Sequence, residues 1–207
     1  DRMAAQDARI RVLHRTVKDG LGQAYLAGFA DALDHGADVV VEMDSDGSHP
    51  ADALPRMIAR LTDSAHPVGL VLGSRWVPGG KVVDWPFHRW LLSRAANLYA
   101  QVMLRIPIKD ATGGYRAYRA DVLREVLAQG IDSRGYCFQI DLALRVHDLG
   151  AGVAEVPITF VEREYGASKM SSGIVIEALL KVTGWGFQRL FRRRRPSAPV
   201  PALTDAS

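Results

Sequence analysis

The chain has 207 residues, 48% apolar and 24% charged, which is ordinary for a globular protein and predicts one sizeable domain followed by a tail. Its net charge of +3 is local, because residues 189–195 carry five of the 26 Lys and Arg and the remainder has 21 basic against 23 acidic residues. This balance argues against a polyanion-binding surface, so we expect no nucleic-acid partner. The single cysteine, Cys137, excludes an internal disulfide and a multi-cysteine zinc site, and we expect it to be buried. No apolar run reaches the ~18 residues that span a bilayer, and no secretory signal is visible.

Apolar periodicity and turn residues divide the chain into alternating strands and helices. Strands are predicted at residues 10–14, 38–43, 68–72 and 153–160, the last with Pro157 inside it, which indicates a sheet edge or a bulge. Helices are predicted at residues 23–35, 50–61, 89–104, 120–128, 137–149 and 173–193. Residues 76–87 and 107–115 are expected to be irregular, and residues 196–207 to be disordered. This alternation predicts an α/β fold with a mostly parallel sheet flanked by helices.

The most informative stretch is the apolar run of residues 39–41, which ends in Asp44 and Asp46. The run indicates a buried strand, and the residues that follow, 47–50, indicate a loop at its carboxyl end. In open α/β sheets ligands bind at that edge. Two neighbouring carboxylates repel each other unless a cation lies between them, and Mg²⁺ bound by oxygen ligands commonly brings substrate phosphates with it. The sequence therefore predicts a metal–phosphate site.

Two other acidic motifs compete with this interpretation. An EF-hand loop needs Gly at its sixth position and Glu at its twelfth, where counting from Asp44 gives His49 and Pro55, so that hypothesis fails. Residues 44–48 also resemble the strand-end motif of the haloacid-dehalogenase phosphatases, in which the first Asp is the nucleophile and the second a general acid/base. That family needs a further acidic pair, and no Asp-Asp or Gly-Asp-x-x-x-Asp follows residue 52. The phosphatase remains an alternative at this point.

Three cationic motifs provide candidate anion sites. Arg75 follows a predicted strand within Gly73-Ser74-Arg75 and is either a bidentate phosphate ligand or a surface residue of a turn. Arg89 and Ser93 share one face of a predicted helix and form either a second anion site or a solvated face. Arg163 and Lys169 flank a glycine turn that either closes over a diphosphate or is an ordinary charged loop.

Two segments indicate contact with a membrane. The loop of residues 76–87 carries Trp76, Trp85 and Phe87, which suit contact with lipid or with a flat substrate. The last helix is apolar and aromatic and is followed by four arginines at 192–195, a combination typical of helices on an anionic membrane surface. The alternative is a core helix with a basic tail.

Taken in order, seven motifs of this chain resemble those of the GT-A family-2 glycosyltransferases, above all the dolichol- or polyprenol-phosphate mannosyltransferases of the actinobacterial kind. The resemblance covers about residues 10–185, and the ordered set is more specific than any single motif. The motifs are Lys18-Asp19-Gly20-Leu21-Gly22, Met43-Asp44-Ser45-Asp46-Gly47-Ser48-His49-Pro50, Gly73-Ser74-Arg75-Trp76-Val77-Pro78-Gly79-Gly80, Arg89 with Ser93, Asp110-Ala111-Thr112-Gly113-Gly114-Tyr115-Arg116, Gly135-Tyr136-Cys137-Phe138-Gln139-Ile140-Asp141 and Arg163-Glu164-Tyr165-Gly166-Ala167-Ser168-Lys169.

The resemblance implies a Rossmann-like GT-A fold and inverting, metal-dependent transfer of mannose from GDP-mannose to a polyprenyl monophosphate. It implies that Asp44 and Asp46 are the catalytic pair and hold Mg²⁺ or Mn²⁺, with Ser48 as a third metal ligand. The implied donor-binding residues are Asp44, Ser45, Asp46, Arg163 and Lys169. The implied acceptor-phosphate ligands are Arg75, Arg89 and Ser93. Asp141 receives no definite role.

The resemblance also predicts an organisation. Residues 1–170 would form a GT-A domain lacking the N-terminal strand–helix–strand portion that holds the nucleotide base, residues 171–195 an amphipathic, basic, membrane-proximal helix, and residues 196–207 a disordered tail. We expect peripheral attachment to the cytoplasmic face of the cell membrane, with a separate or fused membrane protein as a further partner. A polyprenyl-phosphate glucosyltransferase that uses UDP-glucose and a non-enzymatic, membrane-tethered interaction protein remain alternatives.

Overall fold

The structure is a computed structural model of the chain and describes residues 1–17, 20–131, 133, 135–162 and 172–191. Helices and strands alternate along most of the chain, as the sequence predicts. The helices are α1 (Arg2–Gln6), α2 (Leu21–Asp34), α3 (Leu54–Leu61, preceded by a 3₁₀ turn at Ala51–Ala53), α4 (Phe87–Leu104), α5 (Ala120–Ala128), α6 (Gly135–Asp148) and α7 (Ser172–Phe191). The strands are β1 (Val39–Glu42), β2 (Leu70–Ser74), β3 (Lys81–Val83), β4 (Arg116–Arg119), β5 (Val153–Pro157) and β6 (Thr159–Val161).

The main sheet has four strands in the order β1-β4-β2-β5. Strand β2 pairs in parallel with β5, whereas β4 is antiparallel to both β1 and β2. Three strands therefore run in one direction, which confirms the mostly parallel α/β fold, and the carboxyl ends of β1, β2 and β5 lie at the same edge. A functional site is expected at that edge.

The core lies on both faces of the sheet. All five residues of β2 are buried, as is typical of a strand covered on two sides. Leu70 and Leu72 pack in a cluster with residues of α2, α4, α5 and α6, whereas Val71 packs with Met57 and Leu61 of α3 on the opposite face. Each fully buried leucine contributes about 1.5–3 kcal/mol to stability. The result is a three-layer arrangement that holds the strand ends in place.

The predicted strand at residues 10–14 is wrong. These residues are irregular, and Val12 and Leu13 remain 45% and 49% exposed. Within the part of the chain that the structure describes, the main sheet ends at β1, so this segment has no neighbouring strand with which to pair. A lone extended segment without a hydrogen-bonded partner is not stable as a strand.

The structure also corrects the boundaries around Pro157. The predicted strand at residues 153–160 is divided at Ile158 into β5, at the edge of the main sheet, and β6, which pairs in parallel with β3 in a separate two-stranded sheet. Ile158 binds both sheets, because its N–H donates to the Ser74 carbonyl at 3.0 Å and its carbonyl accepts from Lys81 N–H at 3.0 Å. Strand β3 therefore interrupts the predicted loop of residues 76–87.

The predicted helices agree with the structure, whereas some predicted sites lie outside the described residues. Helices are confirmed near 23–35, 50–61, 89–104, 120–128, 137–149 and 173–193, whereas β4 has no counterpart among the predicted strands. Arg163, Lys169, Arg192–Arg195 and the predicted tail at 196–207 lie outside the described residues. Among the helices that are described, none combines the length and apolar character required to cross a bilayer.

Candidate functional site

The acidic pair lies where β1 leaves the sheet. Glu42 ends the strand and is buried, whereas Asp44 and Asp46 are exposed in the loop that follows. Tyr25 of α2 donates its hydroxyl to Asp44 Oδ1 at 3.1 Å. Burial, followed by the nearby Asp44 charge, raises the pKa of Tyr25, so the phenol remains a donor at neutral pH. One oxygen of Asp44 is thereby fixed, and Oδ2 accepts no hydrogen bond from the described residues.

The loop after the pair is organised by hydrogen bonds to its own side chains. Asp46 Oδ1 accepts the backbone N–H of Ser48 at 3.1 Å and also the Ser48 hydroxyl, an Asx-type turn that suits the positive φ of 79° at Gly47. His49 Nδ1 accepts the backbone N–H of Asp44 at 3.0 Å. Hydrogen bonds within the loop itself therefore hold the two carboxylates in place.

The oxygen atoms of this loop suit a hard divalent cation. Asp44, Asp46 and Ser48 offer two carboxylates and a hydroxyl within five positions of one another, and such ligands favour Mg²⁺ or Mn²⁺. Within the described ranges no three His, Cys, Asp or Glu side chains cluster as a complete metal cage. A cation bound here would have to take its remaining ligands from water and substrate phosphates, as Mg²⁺ commonly does.

A buried ion pair lies beneath the loop. Glu42 is 3% exposed, and Arg116 Nε lies 3.5 Å from its Oε1. Burial raises the pKa of Glu42 to about 7, although the Arg116 charge opposes the shift. The Arg116 guanidinium also donates to the carbonyls of Ala111, Gly113 and Gln139, each at 2.7 Å. Arg116 thus connects β1, α6 and the segment before β4 under the acidic pair.

Arg75, the first predicted acceptor-phosphate ligand, is 8% exposed at the end of β2. Its Nε and Nη2 donate to the two Asp110 carboxylate oxygens at 2.8 and 2.6 Å, and Nη2 also donates to Thr112 Oγ1 at 3.1 Å. The guanidinium carbon lies 5.4 Å from the Trp85 ring centre and 5.5 Å from that of Phe160. Its charge is therefore already paired with a carboxylate.

Arg89 and Ser93 lie one turn apart on α4, as predicted. Arg89 forms an ion pair with Glu162, and its guanidinium lies 4.2 Å from the Trp85 ring centre. The Ser93 carbonyl accepts a hydrogen bond from Asn97 Nδ2 at 2.9 Å. Their role as acceptor-phosphate ligands stays a prediction, since the Arg89 charge too has a carboxylate partner.

A cavity of about 620 Å³ opens beside these residues, between the segment after β2 and α4. Its walls combine aromatic rings with cations, and Asp84, in a left-handed conformation with φ 61°, adds a carboxylate. The aromatic and cationic lining residues are Trp76, Trp85, Phe87, Trp90, Arg75, Lys81 and Arg94. This composition suits an anionic group attached to an apolar chain.

Arg94 and Lys81 are further cations of the site that the sequence did not predict. Both line the cavity, and the Arg94 guanidinium lies 5.2 Å from the Trp76 ring centre. Neither side chain forms an ion pair within the described ranges, in contrast to Arg75 and Arg89. The only sequence signal was the position of Arg94 next to Ser93 on a predicted helix.

Asp141, which received no role from the sequence, is tied into the interior. It is 3% exposed, accepts the Ser133 hydroxyl on Oδ2 at 2.7 Å and pairs through Oδ1 with Arg145 Nε at 2.7 Å. Both its oxygens are therefore engaged with neighbouring side chains.

The sequence model described as glycosyl transferase family 2 matches residues 1–127. The chain belongs to glycosyl transferase family 2. This family-2 chain is 54% identical over 186 residues to a Micrococcus luteus protein named undecaprenyl-phosphate mannosyltransferase, covering 90% of this chain and 75% of the relative. It is 49% identical over 196 residues to the Mycolicibacterium smegmatis polyprenol monophosphomannose synthase, covering 94% and 73%. The identification as a glycosyltransferase is confirmed.

Solved structures agree on the fold of this family-2 chain. A crystal structure described as a mycobacterial protein superposes with a TM-score of 0.57 at 23% identity, covering 88% of this chain and 60% of that one. Glucosyl-3-phosphoglycerate synthase from Mycobacterium tuberculosis, in complex with Mn²⁺ and UDP-glucose, gives a TM-score of 0.53 at 21% identity, covering 82% and 56%. At these identities the likeness confirms the GT-A fold alone.

Proposed function

We propose that this family-2 glycosyltransferase is an inverting, metal-dependent mannosyltransferase that transfers mannose from GDP-mannose to a polyprenyl monophosphate. The names of the two relatives at 54% and 49% identity support the sugar and the class of acceptor. The observation that carries the proposal is the exposed acidic pair at the end of β1 together with an aromatic, cation-lined cavity beside α4. These two features provide a place for each substrate.

In the proposed reaction, an oxygen of the acceptor phosphate attacks the anomeric carbon of mannose. The new C–O bond forms as the bond to the diphosphate breaks, and its electron pair leaves with GDP, so that the configuration inverts. A divalent cation held by Asp44 and Asp46, with Ser48 as a third ligand, would offset the charge that develops on the departing diphosphate. The predicted contributions of Ser45, Arg163 and Lys169 to donor binding belong to the same proposal.

The acceptor needs positioning more than activation. A phosphate monoester is already anionic near neutral pH, so no side chain has to remove its proton. Arg75, Arg89 and Ser93 remain the proposed phosphate ligands, and we add Arg94 and Lys81. The reason is that the charges of Arg94 and Lys81 have no carboxylate partner in the described structure, whereas Asp110 and Glu162 already neutralise those of Arg75 and Arg89.

The test of the transfer reaction uses protein expressed from its full reading frame, radiolabelled GDP-mannose, polyprenyl phosphate and Mg²⁺. We expect Asp44→Ala and Asp46→Ala each to lower transfer at least about 100-fold, because loss of a metal ligand removes several kcal/mol of transition-state stabilisation. Glu125→Ala on the exposed side of α5 is the matched control and should retain activity. Unchanged transfer in both aspartate variants would refute the mechanism.

The sugar is tested separately, by comparing GDP-mannose with UDP-glucose at equal concentration. Faster turnover of UDP-glucose would favour the polyprenyl-phosphate glucosyltransferase alternative. Release of phosphate from a generic phosphomonoester without any sugar nucleotide would favour the aspartyl phosphatase.

The acceptor site is tested by Arg94→Gln. We expect the KM for polyprenyl phosphate to rise about tenfold, equivalent to about 1.4 kcal/mol, while the KM for GDP-mannose stays within twofold. Arg124→Gln, an exposed arginine on α5, serves as the control for loss of a positive charge. An equal rise in both KM values would argue against a specific role for Arg94 at the acceptor.

We further propose that the protein attaches peripherally to the cytoplasmic face of the membrane, where a polyprenyl phosphate would be anchored. Helices α4 and α7 pack together, and Tyr99 Oη and Thr183 Oγ1 form a hydrogen bond of 2.5 Å between them. Both helices leave large apolar side chains exposed, namely Phe87, Leu98 and Val102 of α4 and Leu180, Phe187 and Phe191 of α7. The arginines at 192–195 follow directly and suit anionic lipid headgroups. A separate or fused membrane protein remains a proposed partner.

A further inference from the structure

Asp44 is an exposed residue of a loop, yet a metal ligand must be held within about 0.5 Å of its productive position. Two hydrogen bonds fix it: one from Tyr25 Oη to the carboxylate, at 3.1 Å, and one from its own backbone N–H to His49 Nδ1, at 3.0 Å. The second acts on the backbone and therefore sets the direction in which the side chain leaves the loop.

His49 is itself rigid. It is 7% exposed, its imidazole stacks on Tyr115 with ring centres 5.1 Å apart, and the Phe160 ring meets it edge-on at 5.4 Å. Tyr115 is fully buried beneath it. These contacts hold the plane of the ring, and the hydrogen bond from the Asp44 N–H determines which edge of the ring faces the loop.

The hydrogen bond also determines the form of the ring. Because Nδ1 accepts the Asp44 N–H, it carries no proton, and the neutral ring bears its hydrogen on Nε2. A Cβ added at Gly114 would lie 3.8 Å from His49 Cε1 and 3.9 Å from Asp44 Oδ2. The ring edge and the second carboxylate oxygen of Asp44 therefore border the same glycine.

We propose that His49 is a positioning residue for the metal site: its Nδ1 holds the backbone of Asp44 and thereby directs the Asp44 carboxylate toward the cation. The inference rests on the proposed function, since it takes Asp44 as a metal ligand. It attributes to His49 no contact with the substrates and no transfer of a proton.

Two substitutions separate hydrogen bonding from packing. His49→Asn places Oδ1 where the ring has Nδ1 and so keeps the acceptor, but it loses the stack on Tyr115. His49→Phe keeps an aromatic ring against Tyr115 and Phe160 but has no acceptor. His49→Leu, which has neither, provides a second variant without the acceptor in a smaller side chain.

The readout is Mn²⁺ binding in the presence of GDP, followed by the electron paramagnetic resonance signal of free Mn²⁺, on protein expressed from its full reading frame. We expect Mn²⁺ affinity to fall at least tenfold in His49→Phe and His49→Leu and to stay within threefold in His49→Asn. Thermal unfolding should rank His49→Asn and His49→Phe in the opposite order to their Mn²⁺ affinities, because His49→Asn loses the stack on Tyr115 and should unfold at the lower temperature. In turnover, His49→Phe should raise the KM for Mn²⁺ and leave kcat at saturating Mn²⁺ within threefold.

Wild-type Mn²⁺ affinity in His49→Phe and His49→Leu, or equal losses in His49→Asn and His49→Phe, would overturn the inference. Asp44→Ala distinguishes this from failure of the proposed metal site. If Asp44→Ala abolishes Mn²⁺ binding while His49→Phe binds Mn²⁺ with wild-type affinity, only the role of His49 is wrong. If Asp44→Ala binds Mn²⁺ as the wild type does, the metal site and the inference both fall.

Discussion

Arg116 carries a full positive charge into the interior, where its exposure is 0%. It is accommodated because its donors meet the carbonyls of Ala111, Gly113 and Gln139 and because Glu42 lies nearby. Removing one partner of such a pair leaves the other buried and uncompensated, which costs far more than the pair itself contributes. The residue therefore matters chiefly for the order of the segment beneath the acidic pair.

We expect Arg116→Leu to lower the free energy of unfolding by about 3–5 kcal/mol, because Glu42 and three carbonyl groups lose their partner. Urea denaturation followed by circular dichroism measures the change. Arg124→Leu, which removes an exposed arginine from α5, is expected to stay within about 0.5 kcal/mol of the wild type. Similar losses in both variants would contradict the structural role assigned to Arg116.

The buried thiol of Cys137 should make the stability of the protein depend on pH in the alkaline range. It is 2% exposed on α6, and burial chiefly raises its pKa from 9.0 to about 11. The folded protein keeps this thiol protonated after the unfolded chain has lost its proton, so stability should fall as the pH rises from about 9 to about 11 and be unaffected by this group below that window. At pH 8 the folded thiol should react with Ellman's reagent at least about 100-fold more slowly than the urea-unfolded chain. Equal rates would show that Cys137 is accessible.

At the scale of single residues the sequence predicted the acidic pair, because an apolar run ending in two aspartates is a local pattern. It also selected Arg75, Arg89 and Ser93. It could not predict that Asp110 and Glu162 already pair with the two arginines, since these contacts join residues 35 and 73 positions apart. The contact between Arg94 and Trp76 could not be predicted for the same reason.

Two glycines in one turn of α7 have opposite roles. A Cβ at Gly186 would lie 2.8 Å from the Met103 carbonyl oxygen of α4, whereas a Cβ at Gly184 would meet nothing within 4 Å. Gly186 thus allows the close approach of the two helices, and Gly184 only loosens the helix that contains it.

We expect Gly186→Ala to destabilise the protein, because the backbones of α4 and α7 must separate, and Gly184→Ala to stabilise it by about 0.5–1 kcal/mol through higher helix propensity. The two substitutions add the same methyl group, so each is the control for the other. Urea denaturation gives both free energies of unfolding. Changes of the same sign would argue against the packing of α7 on α4 seen here.

At the scale of elements, the sequence predicted the long helices but not the strands β3 and β4. Strand β4 reads Arg-Ala-Tyr-Arg, with a charged residue at each end, yet all four residues are buried. Its arginines are tolerated because Glu42 and Asp121 pair with them, a tertiary fact that no local pattern contains. Conversely, residues 10–14 have the composition of a strand but no neighbour in the described sheet. Pairing decides strands, and composition alone does not.

At the scale of the whole molecule, the exposed apolar residues of α4 reach the cation-lined cavity, because Phe87 and Trp90 line it, and α7, which packs against α4, carries further exposed apolar side chains. Single exposed leucines are normal on protein surfaces, whereas neighbouring exposed apolar side chains indicate a binding surface, here one suited to lipid. A peripheral protein so placed would bring the cavity to the depth of lipid headgroups.

We expect Leu180→Glu combined with Phe187→Glu to lower co-sedimentation with vesicles of phosphatidylglycerol and phosphatidylcholine at least about tenfold, because two exposed apolar side chains that would insert into the lipid become charged. Leu21→Glu, which changes an equally exposed leucine at the start of α2, is the control and should bind as the wild type does. Circular dichroism should confirm that all variants remain folded. Unchanged vesicle binding in the double variant would remove this face from the membrane proposal.

Phe160 limits the insertions and deletions that related proteins can accept between β5 and β6. Its ring touches His49 on the metal side and Trp85 and Arg75 on the cavity side, and it lies on β6, which Ile158 alone separates from β5. Inserting or deleting a single residue at Ile158 would turn Phe160 to the opposite face and break both contacts at once. Among related sequences, differences in chain length should therefore be absent from the junction of β5 and β6. The two halves of the site would then change in side chains while keeping a common spacing.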